Sequence, residues 1–232
     1  MMLSVQRRIA ASGPLLEIFA VAGFALVLLA PLHVEAQQRR FDNPREMFML
    51  PEYCKYTQEM RAKIPGGNNP AEIERWTAVM GHTFIHMHHY CYGLMANNRA
   101  AFLSPTPEDR RHNLGVSITE YDYVIQRAPP DFGLLPEIFT RKGESLIRLE
   151  RVGPGMAELR RAIEMKADHW PAYAAISDYY KETGDLAKAR EWLEKGLAAA
   201  PDTRALMRRM TQLDAAQGKR KSKSDLRPPV ER

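Results

Sequence analysis

Only two cysteines occur in the 232 residues, and their setting excludes more than it allows. Cys54 and Cys91 form no C-x-x-C pair, which leaves thioredoxin-like redox chemistry without its motif, and neither begins the C-x-x-C-H that attaches haem covalently. No glycine-rich phosphate cradle and no nucleophile elbow appear. His82-Thr-Phe-Ile-His86 has the two-histidine spacing of a zinc protease helix, yet Thr83 stands where that chemistry needs a general-base Glu. A long hydrophobic run is missing too. The stretch Ile18–Leu32 is shorter than the roughly 20 apolar residues that cross a bilayer, and Pro31 falls near its end. Together these absences argue against an enzyme.

What does stand at the start reads as an export signal. Arg7 and Arg8 precede the apolar run and Val34–Glu35–Ala36 follows it, so residues 1–36 have the layout of a cleavable signal peptide, the alternative being an uncleaved anchor. No Cys follows Ala36, so a lipoprotein anchor has no attachment point there. The expected location is the periplasm or the cell exterior. In such an oxidising compartment an even cysteine count predicts one disulfide, Cys54 to Cys91.

Helical spacing supports that pairing. A helix over Ala71–Asn98 places Cys91 in line with Ile73, Trp76, Met80, Phe84, Met87 and Leu94, facing a preceding short helix at Pro51–Lys63. Tyr53, Tyr56, Trp76, Phe84, Tyr90 and Tyr92 supply the aromatic core of this N-terminal region. The polar side of the same helix carries His82, His86 and His89 at i, i+4 and i+7, while His88 points elsewhere. Three imidazoles on one face can hold Zn²⁺ or Cu²⁺ if another element, with His112 the obvious histidine, adds a ligand. They equally suit an ordinary polar face.

The formal charge is +5, and it is unevenly placed. Lys219, Arg220, Lys221, Lys223, Arg227 and Arg232 outnumber Asp225 and Glu231 in the last stretch, while the body before it is near neutral. That pattern gives a basic, disordered tail over residues 219–232, or a contact to an anionic surface. With no stacking platform, nucleic acid is not an expected partner.

A period of 34 residues organises the rest. Residues 136–169 and 170–203 align with Phe139 on Tyr173, Gly143 on Ser177, Leu159 on Leu193, Ala162 on Gly196 and Ile163 on Leu197. The second copy, with Tyr173, Ile176, Ser177, Tyr180, Gly184, Ala189, Gly196, Leu197 and Pro201 in place, resembles the tetratricopeptide repeat. In the first copy Lys142 takes an aliphatic position and Ala167 replaces the terminal Pro. Its turn residues Gly153, Pro154 and Gly155 come about one helical turn late, which predicts a longer first and shorter second helix. Residues 104–135 read as a degenerate repeat helix, capped by Thr106 with Pro107 at the first position, its partner lying before Ser104.

The resemblance implies an all-α superhelix of tetratricopeptide-like hairpins with a disulfide-tied N-terminal helix pair. The expected divisions are a signal at 1–36, a linker at 37–50, a histidine-bearing helical region at 51–103, the repeats, a capping helix at 204–218 and the tail. It further implies a non-catalytic adaptor whose inner helices line a groove for a protein partner, here in a bacterial cell envelope. Carried over by position, that groove presents Thr140, Glu144 and Ile147 from one repeat and Ala174, Asp178 and Lys181 from the next. No cofactor is expected unless the histidine face takes a metal.

Overall fold

A computed structural model describes residues 44–225. The expected signal, the linker up to residue 43 and the last part of the expected 219–232 tail, from 226, lie outside them, while the first part of that tail is corrected: residues 219–225 are helical and continue the C-terminal helix expected to end at 218. Regular structure among the described residues is entirely helical. Short 3₁₀ turns occupy Pro44–Met49, Glu52–Tyr56 and Gly81–His86. The α-helices are α1 (Pro70–Met80), α2 (Met87–Phe102), α3 (Pro107–Ile125), α4 (Leu135–Arg148), α5 (Val152–Met165), α6 (Trp170–Glu182), α7 (Leu186–Ala199) and α8 (Arg204–Asp225). None of the described helices is long and apolar enough to cross a membrane.

Helices α2 and α3, α4 and α5, and α6 and α7 pack as successive hairpins, and α8 closes against α7. The first helix of each hairpin also meets the first of the next, α2 with α4 and α4 with α6, and α6 in turn meets α8. Local sequence explains where these helices begin. Thr106 Oγ1 accepts from Asp109 N at 3.0 Å, Asn69 Oδ1 from Ala71 N at 3.1 Å, and Asp185 Oδ1 from Lys188 N at 3.1 Å, each satisfying an otherwise orphaned amide. Partner helix α2 indeed precedes Ser104. Its last residue, Phe102, is joined to α3 by a short loop.

The disulfide forms between Cys54 and Cys91, with the Cα atoms 5.7 Å apart and both residues fully buried. It ties the Glu52–Tyr56 turn to α2, among the aromatic residues expected there: Tyr53 and Trp76 lie 5.5 Å apart between ring centroids. Two helices are shorter than the spacing implied. The Pro51–Lys63 helix is replaced by a single 3₁₀ turn, because Thr57 adopts extended backbone while its hydroxyl donates to the Cys54 carbonyl at 2.8 Å. The continuous Ala71–Asn98 helix is broken at Gly81, whose φ of 61° only glycine adopts cheaply. Met80, Phe84, Met87 and Cys91 still face the core across this break, since a 3₁₀ turn repeats every three residues and keeps the inward side in register.

The 34-residue period holds even where residue types hide it. Gly184 turns the second repeat with a φ of 85°, and the equivalent turn of the first repeat is made by Glu150, at 63°. A non-glycine residue there costs about 1–2 kcal/mol. The expected late turn at Gly153–Gly155 is therefore corrected: those residues begin α5, which at 14 residues equals α7 rather than falling short of it. Gly155 serves packing instead. A Cβ on it would lie 2.8 Å from the Gly143 carbonyl oxygen, and one on Gly143 would lie 2.9 Å from that of Gly155, so α4 and α5 cross backbone to backbone. Lys142, the charged intruder at an aliphatic position, stitches three helices by reaching Asp122 on α3 at 2.7 Å and Glu158 on α5 at 2.5 Å.

Apolar packing divides unequally. One large cluster runs from Tyr53 through the α2–α3 and α4–α5 hairpins to Ala172 and Ile176 on α6. A small one, Ala174, Ala189, Leu193, Leu206 and Leu213, joins α6, α7 and α8.

Candidate protein-binding groove

Because α2, α4 and α6 form one layer, their outer faces share a groove of about 320 Å³. Its walls are Asn97, Asn98, Ala101 and Phe102 from α2; Arg141, Glu144, Ile147 and Arg148 from α4; and Ala175, Asp178, Tyr179 and Glu182 from α6. Each set follows helical spacing, so each helix turns one mixed edge to the opening, with Phe102 on α2, Ile147 on α4 and Tyr179 on α6 as its large apolar members. Glu144, Ile147 and Asp178 are where the repeat register put them.

Thr140, Ala174 and Lys181 are not. Thr140 is 1% exposed: it donates to the Pro136 carbonyl at 2.8 Å and lies 3.1 Å from His169 Nε2. Ala174, 3% exposed, belongs to the small core against α7 and α8. Lys181 is exposed but does not line the groove. The places of all three are taken by residues one position away, Arg141 for Thr140, Ala175 for Ala174 and Glu182 for Lys181, because each residue turns a helix by about 100°. Asn97, Asn98 and Phe102 carried no repeat signature and were invisible to the period.

Charges in the groove are mostly answered. Arg141 donates through Nε to Glu137 Oε1 at 2.8 Å and through Nη1 to Glu144 Oε2 at 3.4 Å. Desolvation nevertheless pushes the Glu144 carboxyl above its usual range, with Arg141 opposing. Arg209 of α8 donates from Nε and Nη2 to Asp178 at 3.0 and 2.9 Å and so closes the α6 side. Arg148 differs, since its Nη1 donates to a neutral acceptor, Asn97 Oδ1.

The hairpin α6–α7 decides the kinship. Residues 171–203 match the family model of the tetratricopeptide repeat. The chain therefore contains a tetratricopeptide repeat, and the all-helical hairpin fold around it is of that kind. No curated protein matches the chain. Within the matched repeat the small residues expected at close contacts are in place: Ser177 Oγ donates to the Ala189 carbonyl at 2.9 Å, and a Cβ on Gly196 would lie 2.9 Å from Tyr173 Cβ.

The histidine helix is arranged differently from the expected three-ligand face. Tyr123 of α3 stands between His86 and His89, stacked on His89 at 3.5 Å and edge-on to His86 at 5.7 Å, with the Arg127 guanidinium 3.6 Å over its ring. His89 Nδ1 is 2.6 Å from the buried Glu120 carboxylate, and His82 is exposed, 6.1 Å from His86 between ring centroids. Among the described residues no group of three or more His, Cys, Asp or Glu side chains is placed to hold a metal ion. His112 is exposed on α3 and brings no fourth ligand.

Three imidazoles, those of His86, His88 and His169, give the fold a pH dependence with a definite sign. Burial lowers the pKa of His86, His88 and His169 from the ordinary 6.5, helped by Arg127 at His86, His89 at His88 and Lys166 at His169. The unfolded chain then binds more protons than the folded one below about pH 6.5, so stability is full above that value and falls as the pH drops through it. Glu144, shifted upward, works in the opposite direction. Urea midpoints should decline between pH 7.5 and pH 5.5, and much less in a His86→Phe, His88→Phe variant; a flat profile would refute this assignment.

Proposed function

We propose that this chain is a non-catalytic adaptor that holds a protein partner in the groove between α2, α4 and α6. The observation that carries this reading is the shared edge of three first helices, one of them in the matched tetratricopeptide repeat, because side chains there are only partly taken up by the core and reach the opening, where they can meet a ligand. The basic start, the short apolar run and the Val34–Glu35–Ala36 stretch support a reading in which that partner is met in the periplasm or outside a bacterial cell, and the buried disulfide suits the same oxidising setting.

Capture from a cell-envelope extract with the disulfide-bonded mature protein tests both parts. Ala175→Arg fills the groove and should abolish recovery of the partner with little change in melting. His82→Ala with His86→Ala, on the far helix face, should leave recovery intact. Loss with the histidine variant and retention with Ala175→Arg would move the site to the histidine helix.

A further inference from the structure

One corner of the groove carries a guanidinium with no ion-pair partner among the described residues. Arg148 ends α4 half-buried, and its hydrogen bond runs to the Asn97 amide of α2, with no carboxylate within ion-pair distance among the described residues. Its surroundings disfavour a lone cation. Burial and the Arg110 guanidinium of α3 both depress its pKa, and Glu144 compensates only partly from beyond contact range. Beneath it the Tyr121 hydroxyl is buried without a well-formed hydrogen bond, and the Asn97 side chain lies near it without satisfying it. Beside it Ala101 and Phe102 line the same end, Phe102 with 73% of its surface exposed.

We infer that this corner is the anchor for an acidic residue of the partner: a peptide segment that puts one carboxylate side chain on Arg148 and an adjacent apolar side chain on Ala101 and Phe102. The inference rests on the groove being the binding site and adds what the groove selects. A planar guanidinium matches a carboxylate with two parallel N–H bonds, and the half-buried setting strengthens them relative to bulk water. A carboxylate relieves the Arg110–Arg148 repulsion, whereas a basic residue would add to it. The opposite wall, with Glu182 on α6, disfavours a second acid there, so the segment lies in one direction. Arg148, Asn97 and Arg110 all fall outside the matched repeat.

The probe is a displayed library of random twelve-residue peptides, selected on the oxidised protein and on Arg148→Glu and Ala175→Arg variants whose helicity has been checked. Wild type should enrich Asp or Glu next to an aromatic or aliphatic residue, and Arg148→Glu should exchange that preference for Lys or Arg. A resynthesised wild-type binder should lose about tenfold in affinity on Arg148→Gln, a variant that keeps a side chain able to bond Asn97. Binders that Ala175→Arg blocks but that show no acidic preference, or that Arg148→Gln leaves unchanged, overturn the inference and leave the groove standing. Binders indifferent to Ala175→Arg, or none selected at all, overturn both.

Discussion

Removing the Cys54–Cys91 bond should cost the protein about 4 kcal/mol, the loop-closure entropy for a sequence separation of 37. The effect is large because the bond does work that the local backbone does not. Residues 44–69, the described stretch before α1, have only two short 3₁₀ turns of regular structure, held otherwise by aromatic contacts and by the Glu46–Arg99 pair, with hydrogen bonds 2.6 Å long. Urea denaturation of Cys54→Ala, Cys91→Ala against wild type measures the loss, and limited proteolysis of the variant should gain a cut between residues 57 and 69, where turns dominate, that the bonded protein resists. Equal midpoints with and without the bond would mean that the N-terminal segment contributes little to the folded state.

Gly143→Val should be the most damaging single substitution in the repeats. Its first added carbon would lie 2.8 Å from Leu159 Cγ and 2.9 Å from the Gly155 carbonyl oxygen, the second of which moves only if α4 and α5 separate. Overpacking of this kind costs about 1–3 kcal/mol. Valine recovers only part of the helical penalty of glycine, so the loss should sit near the top of that range. Gly115→Ala is the control, in the middle of α3 with nothing within 4 Å of the new carbon; it should raise stability by up to about 1 kcal/mol. Two changes of opposite sign in neighbouring helices, read by thermal and urea melts, separate steric exclusion from a general effect of replacing glycine.

How much of this was legible in the sequence depends on whether a residue announces its backbone or only its neighbours. The hairpins and the disulfide were legible, because a repeated pattern of aromatic and small residues and an even cysteine count each point to one arrangement. The turn at Glu150 was hidden, since its left-handed angle is imposed by the packing on either side and not by the residue. Gly81 could have been read as a break, but an apolar stripe that survives a 3₁₀ turn looks continuous at helical spacing. At the groove, placing residues by repeat position puts Glu144 and Ile147 on α4 and Asp178 on α6 at the wall where the structure also has them. It failed for Thr140 and Ala174, where a one-residue offset swaps core for surface. Arg148 was beyond reach, as its character comes from Asn97 and Arg110, far away in sequence.

The unequal division of the apolar packing has a consequence for how the molecule comes apart. The large cluster is fastened by a covalent bond at one end, whereas α8 leans on the few residues of the small cluster and on the Arg209–Asp178 and Arg190–Asp214 pairs. Openings are cheapest where the least surface must be exposed. Unzipping therefore starts at α8 and runs toward α4, and it meets the groove halfway: losing α8 frees Asp178 from Arg209 and loosens the α6 wall while α2 and Arg148 are still held. A segment bound as proposed, bridging those walls, would act as a fastener, resisting withdrawal of the C-terminal helices for as long as it stayed.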